Sequence, residues 1–185
     1  RIIEAGHHAP TGSNSQNVHY LLVTGETARD TLRTMTIAFY EKLFARLRSP
    51  LGRTAIRLAA GNGTVNRLLE YRPIVTHARQ LLAKGDDRLF YGAPALLLVH
   101  AEAGDTCSAF NCAVALYNCS LMAHTLGVGC CFNGFLEAAV MNDRSLRKWL
   151  GLPIGHRCFG AMTMGYQDMR YRKLVKRAAP SVRRL

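Results

Sequence analysis

Ala9-Pro10-Thr11-Gly12-Ser13-Asn14-Ser15-Gln16 is a short polar segment between a helical pattern and a strand pattern. Residues 1–8 predict a short helix, which Pro10 ends because proline disfavours helical backbone at the residue before it. Val18 to Thr24 is rich in β-branched and aromatic residues and predicts a strand. The backbone N–H groups and the Asn, Gln and Ser side chains of the polar segment can hydrogen-bond a planar heterocycle. Composition alone favours the simpler interpretation of a surface turn.

Beyond this strand, the first half of the chain is predicted to be mainly helical. Thr27 and Asp30 have the spacing of a capping box and predict a helix that runs to about residue 48. The sequence Ser49-Pro50-Leu51-Gly52 breaks that helix, and another helix is expected over residues 62–84. Pro73 predicts a kink or a division within it.

The second half alternates strands with helices. Gly92-Ala93-Pro94 leads into the apolar run Ala95 to His100, which is typical of a central strand. Gly104-Asp105 begins a helix through Leu126 that is apolar nearly all round and rich in small residues. Such a helix belongs at the centre of a fold or in a tight helix–helix interface. Three elements are predicted after it: a short strand or loop at 130–134, a helix capped by Asp143 that ends before Gly151, and a strand over 158–166.

Helices and strands therefore interleave without a regular βαβ rhythm. This pattern predicts an α+β fold in three layers, with helices covering both faces of a mostly antiparallel central sheet. The 185 residues are 49 % hydrophobic and 19 % charged, which fits one packed domain over residues 1–185. No apolar run reaches the ~18 residues that a membrane span needs.

The two ends of the chain differ in character. Arg1 opens the helix-like sequence Arg-Ile-Ile-Glu-Ala without an initiator Met or a secretory signal pattern, so we expect a chain trimmed at its N-terminus. The formal net charge is +12, and residues from about 167 to 185 form a basic extended tail without an acid after Asp168. Such a tail is either a solvated arm or a phosphate-binding arm. The sequence lacks helix-turn-helix, RNP-like and zinc-finger patterns, which argues against nucleic acid as the partner.

The six cysteines contain no Cys-x-x-Cys pair, which excludes a zinc ribbon or a ferredoxin-type cluster within this chain. Most of them lie in apolar segments, where a free cysteine behaves as a small hydrophobic residue. Reduced thiols in a cytoplasmic protein are therefore favoured over a disulfide framework.

No catalytic constellation of side chains stands out. The chain has only 12 Asp and Glu, and His19 and His100 lie in predicted strands, where we expect structural roles rather than metal binding. Any catalysis is therefore expected to come from a bound group.

Two further stretches can contact such a group. Phe132-Asn133-Gly134-Phe135 lets backbone approach a flat ligand, although a plain loop is the simpler interpretation. Arg172, Lys173, Lys176 and Arg177 can clamp a phosphate.

Taken in order, these motifs resemble those of the nitroreductase family over nearly the whole chain. The matching stretches are Ala9 to Gln16 with its strand, Tyr91-Gly92-Ala93-Pro94-Ala95 with its strand, the Ala-rich central helix, Leu126-Gly127-Val128-Gly129, Asn133-Gly134, Leu150-Gly151-Leu152-Pro153-Ile154-Gly155-His156, Met164-Gly165-Tyr166 and the basic tail. The tail, from Tyr171-Arg172-Lys173 to Val182, is most similar to members fused behind an N-terminal ferredoxin-like iron–sulfur module. The chain departs from the family pattern at Asn17, where a proline is common, and at Asn111, where an acidic residue is often found.

The resemblance implies an intertwined homodimer with two FMN sites at the subunit interface. It assigns nine cofactor contacts: Pro10, Thr11, Asn14 and Gln16 at the isoalloxazine or ribityl groups, Asn133 and Gly134 near flavin N5, where a backbone N–H stabilises the reduced form, and Lys173, Lys176 and Arg177 at the phosphate.

The implied function is that of an FMN-dependent oxidoreductase, with the flavin rather than a catalytic side chain carrying the chemistry. Hydride from NAD(P)H, or electrons from a ferredoxin-type donor, would pass to an electrophilic small molecule such as a nitroaromatic or a quinone. The alternative is a flavin-binding carrier or sensor with little turnover.

Overall fold

The computed structural model describes residues 1–168, 172–173 and 175–184. Its helices and strands, in chain order, are α1 (Ile2–His7), β1 (His19–Val23), α2 (Glu26–Arg48), α3 (Pro50–Leu82), β2 (Ala95–Glu102), α4 (Ser108–Thr125), β3 (Val128–Phe132), α5 (Gly134–Asn142), α6 (Arg144–Trp149) and β4 (His156–Tyr166). A 3₁₀ turn (Gly12–Asn14) precedes β1.

The four strands form one antiparallel sheet in the order β1-β2-β4-β3. Alternate residues of β2 enter two separate apolar cores, as the two-residue period of a strand requires. Leu97 and Val99 pack with Cys112 and Leu116 of α4 on one face. Leu96 and Leu98 belong to the core of the other face, which α2, α3, α5 and α6 cover. The predicted three-layer α+β fold with an antiparallel central sheet is therefore confirmed.

Small residues allow α1 and α4 to pack closely against each other. Gly6 of α1 lies against Ala115 and Cys119 of α4, and a Cβ at this position would collide with the Cys119 sulfur atom. Gly160 of β4 similarly leaves space for Leu116, whose Cδ2 would be 2.7 Å from an added Cβ. The small residues of α4 thus serve close packing within the chain.

Four local predictions were wrong. Thr27 and Asp30 do not cap α2, which begins one residue earlier after Gly25. The predicted break at residues 49–52 is the single residue Ser49. Its side chain accepts the N–H of Gly52, and Pro50 starts α3 well before the predicted residue 62. Pro73 does not divide α3; the non-helical residue is Gly61, with φ of 82° and ψ of 164°.

The fourth error concerns the start of α4, which lies at Ser108 rather than at Asp105. Asp105 instead accepts the Cys107 N–H through its carboxylate at 2.8 Å and the Ser108 N–H through its carbonyl. By contrast, the Asp143 cap of α6 is confirmed, since its carboxylate accepts the N–H groups of Ser145 and Leu146. Among the residues that the structure describes, every helix is too short or too polar to cross a membrane.

Candidate flavin site

The predicted ligand-binding segment before β1 is a compact loop that hydrogen-bonds to itself. The Thr11 hydroxyl accepts the Gln16 N–H at 3.0 Å, and the Thr11 carbonyl accepts the Asn14 N–H at the same distance. The Gln16 side-chain amide donates to Asn14 Oδ1 at 3.1 Å. Pro10, Asn14 and Gln16 are exposed, and Thr11 is half-buried. The loop therefore presents amide groups at the surface in a defined arrangement.

This loop stores backbone strain. Ser13, Asn14 and Gln16 have φ values of 52°, 53° and 47°, in the left-handed region that favours glycine. An L-residue in this region costs roughly 1–2 kcal/mol. Such strain persists only where surrounding contacts hold the backbone, and it is concentrated at functional sites. Here the holding contacts come from α4, through the buried side chain of Asn111.

The second predicted stretch is the start of α5, where Asn133 is the N-cap. Its Oδ1 accepts the Leu136 N–H at 2.9 Å, and its Nδ2 donates to the Leu89 carbonyl at 2.7 Å. The Asn133 N–H donates to the Ala161 carbonyl of β4 at 2.8 Å, which anchors the cap to the sheet. Asn133 is buried, and its roles are thus helix capping and attachment of the loop at Leu89.

Gly134 follows as the first residue of α5, and it is exposed, with open space around the position of a Cβ. The N–H groups in the first turn of a helix lack partners within the helix, and they carry the positive end of its dipole. The backbone at Gly134 can therefore donate to an electron-rich ligand atom that approaches closely.

Asp87 holds the loop that contains Leu89, whose carbonyl accepts the hydrogen bond from Asn133. Its carboxylate accepts the N–H groups of Leu89 and Phe90 at 3.0 Å and pairs with Arg33 of α2 at 2.9 Å. Burial raises the pKa of Asp87, but hydrogen bonds from Phe90, Leu89, Arg33 and Gly92 outweigh it and hold the pKa below its ordinary value of 3.8. The carboxylate therefore remains charged at neutral pH and ties this loop to α2.

The tail is the least defined part of the predicted site. Lys173, Lys176 and Arg177 are exposed and lie outside helices and strands. Arg170 and Tyr171, which belong to the same predicted tail, lie outside the described residues.

The exposed face of α4 was not expected from its composition. Phe110, Tyr117 and Leu121 are 65 %, 56 % and 50 % exposed, although the opposite face, with Cys112 and Cys119, is fully buried. The three exposed residues are spaced by seven and four positions and form one stripe along the helix. The helix was predicted to lie at the centre of the fold or in a tight helix–helix interface. Within one chain, only the face with Cys112 and Cys119 lies at the centre of the fold.

A cluster of three histidines was not predicted from the sequence. His19, His100 and His156 come from β1, β2 and β4, and their ring centroids are 5.0–5.3 Å apart. The Nδ1 atoms of His100 and His156 are 3.0 Å apart, a hydrogen-bond distance. Burial, with the neighbouring His156 and His19, lowers the pKa of His100 to about 4. The register of the strands brings these rings together, and no spacing in the sequence indicates it.

Three of the six cysteines lie buried in the core. All six are free, and burial raises the pKa of Cys112 and Cys158 to about 12 and that of Cys119 to about 11. These three thiols are therefore protonated and unreactive at neutral pH. Within the described residues, no group of three or more His, Cys, Asp or Glu is arranged to hold a metal ion.

The chain is thus an α+β sandwich with exposed residues at Asn14, Gln16 and Gly134. The model of the nitroreductase family matches residues 1–166, so the chain belongs to this family. The match ends at residue 166, the last residue of β4, so the basic tail lies outside the matched region. None of the curated proteins is similar enough to the chain to count as a match.

Solved structures share the fold at low sequence identity. A nitroreductase with bound FMN from Bacteroides fragilis NCTC 9343 is 22 % identical, with a TM-score of 0.63 over 98 % of this chain and 83 % of that chain. A second with bound FMN, from Desulfitobacterium hafniense DCB-2, is 19 % identical, with a TM-score of 0.63 over 95 % and 80 % of the two chains. The FMN and NADPH-dependent nitroreductase NfnB from Sphigopyxis sp. strain HMH is 18 % identical, with a TM-score of 0.55 over 91 % and 77 %.

Proposed function

We propose that the protein is an FMN-dependent oxidoreductase that acts as a homodimer. The observation that carries this proposal is the loop of residues 11–16, in which strained backbone displays the amides of Asn14 and Gln16. Family membership and the FMN bound in two structural neighbours support the same cofactor. The nine predicted contacts remain the residues proposed to hold it.

These residues fit a flat, phosphorylated ring system. Amide side chains at Asn14 and Gln16 provide both donors and acceptors for the polar edge of an isoalloxazine ring. The open space at Gly134 permits close approach of a planar group to the start of α5. Lys173, Lys176 and Arg177 supply cations for a phosphate.

The chemistry assigns a limited task to the protein itself. When bound, FMN supplies hydride and electron transfer, whereas the protein supplies position and electrostatics. The Gly134 N–H and the dipole of α5 favour negative charge on an adjacent acceptor atom. Asn133 and Asp87 hold this helix start and the neighbouring loop in place.

The exposed stripe of α4 is proposed as part of the dimer interface. Two clefts beside α2 and α3 are lined by none of the nine predicted cofactor residues. A site at the junction of two chains accounts for exposed loops at Asn14 and Gly134 and for the apolar face of α4 together.

The proposed electron donors are NAD(P)H or a ferredoxin-type protein or domain, and the proposed acceptors are nitroaromatics or quinones. The NADPH dependence of the structural neighbour NfnB supports NADPH among the candidates. The six free cysteines support a reducing, cytoplasmic environment.

Anaerobic rapid mixing tests this function. The FMN-loaded protein is combined with NADH, NADPH or reduced ferredoxin, and flavin bleaching is followed before a nitroaromatic or a quinone is added. We expect rapid bleaching with at least one donor, reoxidation by the acceptor, and parallel lines in double-reciprocal plots. Bleaching without reoxidation by either class of acceptor would favour the carrier or sensor. A flavin that none of the three donors reduces would contradict the oxidoreductase assignment.

A further inference from the structure

The loop of residues 11–16 is hydrogen-bonded to α4 through one buried amide. Asn111 is fully buried in the first turn of α4, and its Oδ1 accepts the Gly12 N–H at 2.9 Å. Its Nδ2 donates to the Ser15 hydroxyl at 3.1 Å and to Asn17 Oδ1 at 3.0 Å. Because a backbone N–H can only donate, the oxygen of this amide must face Gly12, and its orientation is fixed.

Asn17 continues the connection to the residues before α4. Its Oδ1 faces Asn111, so its Nδ2 is free to donate to the Asp105 carboxylate and, at 3.4 Å, to the Ser108 hydroxyl. Asp105 in turn accepts the Cys107 N–H. Every hydrogen bond from Gly12 to Asp105 thus has one direction, and the series ends on one negative charge. Hydrogen bonds arranged in this way polarise one another.

The contacts fall beside the strained residues rather than on them. Gly12, Ser15 and Asn17 are held by the network, whereas Ser13, Asn14 and Gln16 carry the left-handed backbone. Gly12 is also confined sterically, because a Cβ there would lie 2.7 Å from the Cys107 sulfur atom. The network therefore holds the loop at Gly12 and Ser15 and holds Asn17 directly after it, and it leaves the side chains of Asn14 and Gln16 exposed.

We propose that Asn17 and Asn111 are positioning residues for FMN, which hold the loop in the conformation that displays Asn14 and Gln16. This proposal rests on the proposed function, but the contacts themselves lie within one chain. The neutral amide at position 111 is essential, because it must accept from Gly12 and donate twice. A carboxylate at this position has no N–H, and it would place a second negative charge beside Asn17 and Asp105.

The first test compares Asn111→Asp, Asn17→Ala and the double variant with Asn118→Ala. Asn118 is a matched control two turns along α4, and its amide contacts the Ala5 carbonyl instead of the loop. FMN dissociation constants are measured by quenching of flavin fluorescence. We expect Asn111→Asp and Asn17→Ala each to weaken FMN binding by about tenfold or more, since each removes more than one hydrogen bond of the network. The double variant should lose less than the product of the two, because the residues share one network.

The second test needs no cofactor. Amide hydrogen exchange of Gly12 and Gln16 is measured in the FMN-free protein and in the same variants. We expect faster exchange at Gln16 in Asn111→Asp and at both amides in Asn17→Ala, since a carboxylate at position 111 still accepts the Gly12 N–H. Exchange should be unchanged in Asn118→Ala, and a preserved melting transition shows that each variant is folded.

The outcomes separate this inference from the proposed function. Wild-type protein that fails to bind FMN contradicts the proposed function, and the exchange data then decide whether the network orders the loop. Wild-type protein that binds FMN, with folded variants that bind it equally well, overturns the positioning role alone. Multiplicative effects of the two substitutions overturn the shared network.

Discussion

Asn133 combines two roles, and substitutions can separate them. Asn133→Ala removes the cap of α5 and leaves the Leu89 carbonyl without its donor. We expect a loss of about 2–3 kcal/mol, from roughly 1 kcal/mol for a cap and 1–2 kcal/mol for a buried unpaired carbonyl. Asn133→Asp keeps the cap acceptor and loses only the donor to Leu89. Chemical denaturation measures both variants.

Asn142→Ala is the matched control at the other end of α5. Its side chain donates to the Ala138 carbonyl on the surface, so its loss should change stability by less than about 0.5 kcal/mol. Equal effects of the substitutions at positions 133 and 142 would contradict the structural role given to Asn133.

His100 makes stability depend on pH. Its pKa is about 4 in the folded protein and 6.5 when unperturbed, so the unfolded chain binds more protons between these values. Stability should therefore fall as the pH drops from 6.5 towards 4, by up to about 3 kcal/mol at about 1.36 kcal/mol per pKa unit. Asp87 adds a further loss only below its ordinary value of 3.8, because its pKa is lowered.

The His100→Gln variant tests this explanation through melting temperatures at several pH values. We expect a flatter profile between pH 6.5 and 4, with the decline at lower pH retained. A profile as steep as that of the wild type would assign the acid sensitivity to other groups.

At the scale of elements, α4 has two faces with different tasks. Leu121→Glu places a charge within the exposed apolar stripe, and we expect it to convert the dimer to a monomer and to weaken FMN binding. Leu58→Glu is the matched control, since Leu58 is 83 % exposed on α3. Light scattering coupled to size exclusion measures the mass. A wild-type monomer, or a Leu121→Glu dimer, would contradict the proposed interface.

The tail is expected to act on the phosphate alone. The double variant Lys176→Ala/Arg177→Ala should weaken FMN binding by about tenfold or more, since charge-assisted hydrogen bonds are worth 1.5–3 kcal/mol. Riboflavin, which lacks the phosphate, should bind this variant and the wild type equally.

The charge-matched control for the tail is Arg183→Ala/Arg184→Ala. Equal weakening by the two double variants would indicate a general effect of charge instead of a clamp at positions 176 and 177.

At the scale of the whole molecule, local patterns predicted the elements, and tertiary contacts decided the rest. β-branched and aromatic content located β1, and a continuous apolar run located β2, because these signals are intrinsic to short segments. The helix starts at residues 27 and 105 were misplaced, because Gly25 and Asp105 organise the backbone before the first helical turn. Pro73 lies within α3 without dividing it, a case in which tertiary context overrides local preference.

The candidate site could be predicted in part for the same reason. Asn14, Gln16 and Asn133 were found as motifs, and the departures at Asn17 and Asn111 were visible in the sequence. That these last two side chains contact each other was not visible, because 94 positions separate them. The histidine cluster likewise depends on strand register, which a single sequence does not specify.

The central claim is that two copies of this chain hold FMN through the loops at Asn14 and Asn133. The most direct measurement is a titration of the protein with FMN, followed by visible absorbance and by mass in solution. We expect saturation at one FMN per chain in a yellow dimer. Protein that stays colourless after incubation with FMN, or that binds it as a monomer, would contradict the claim.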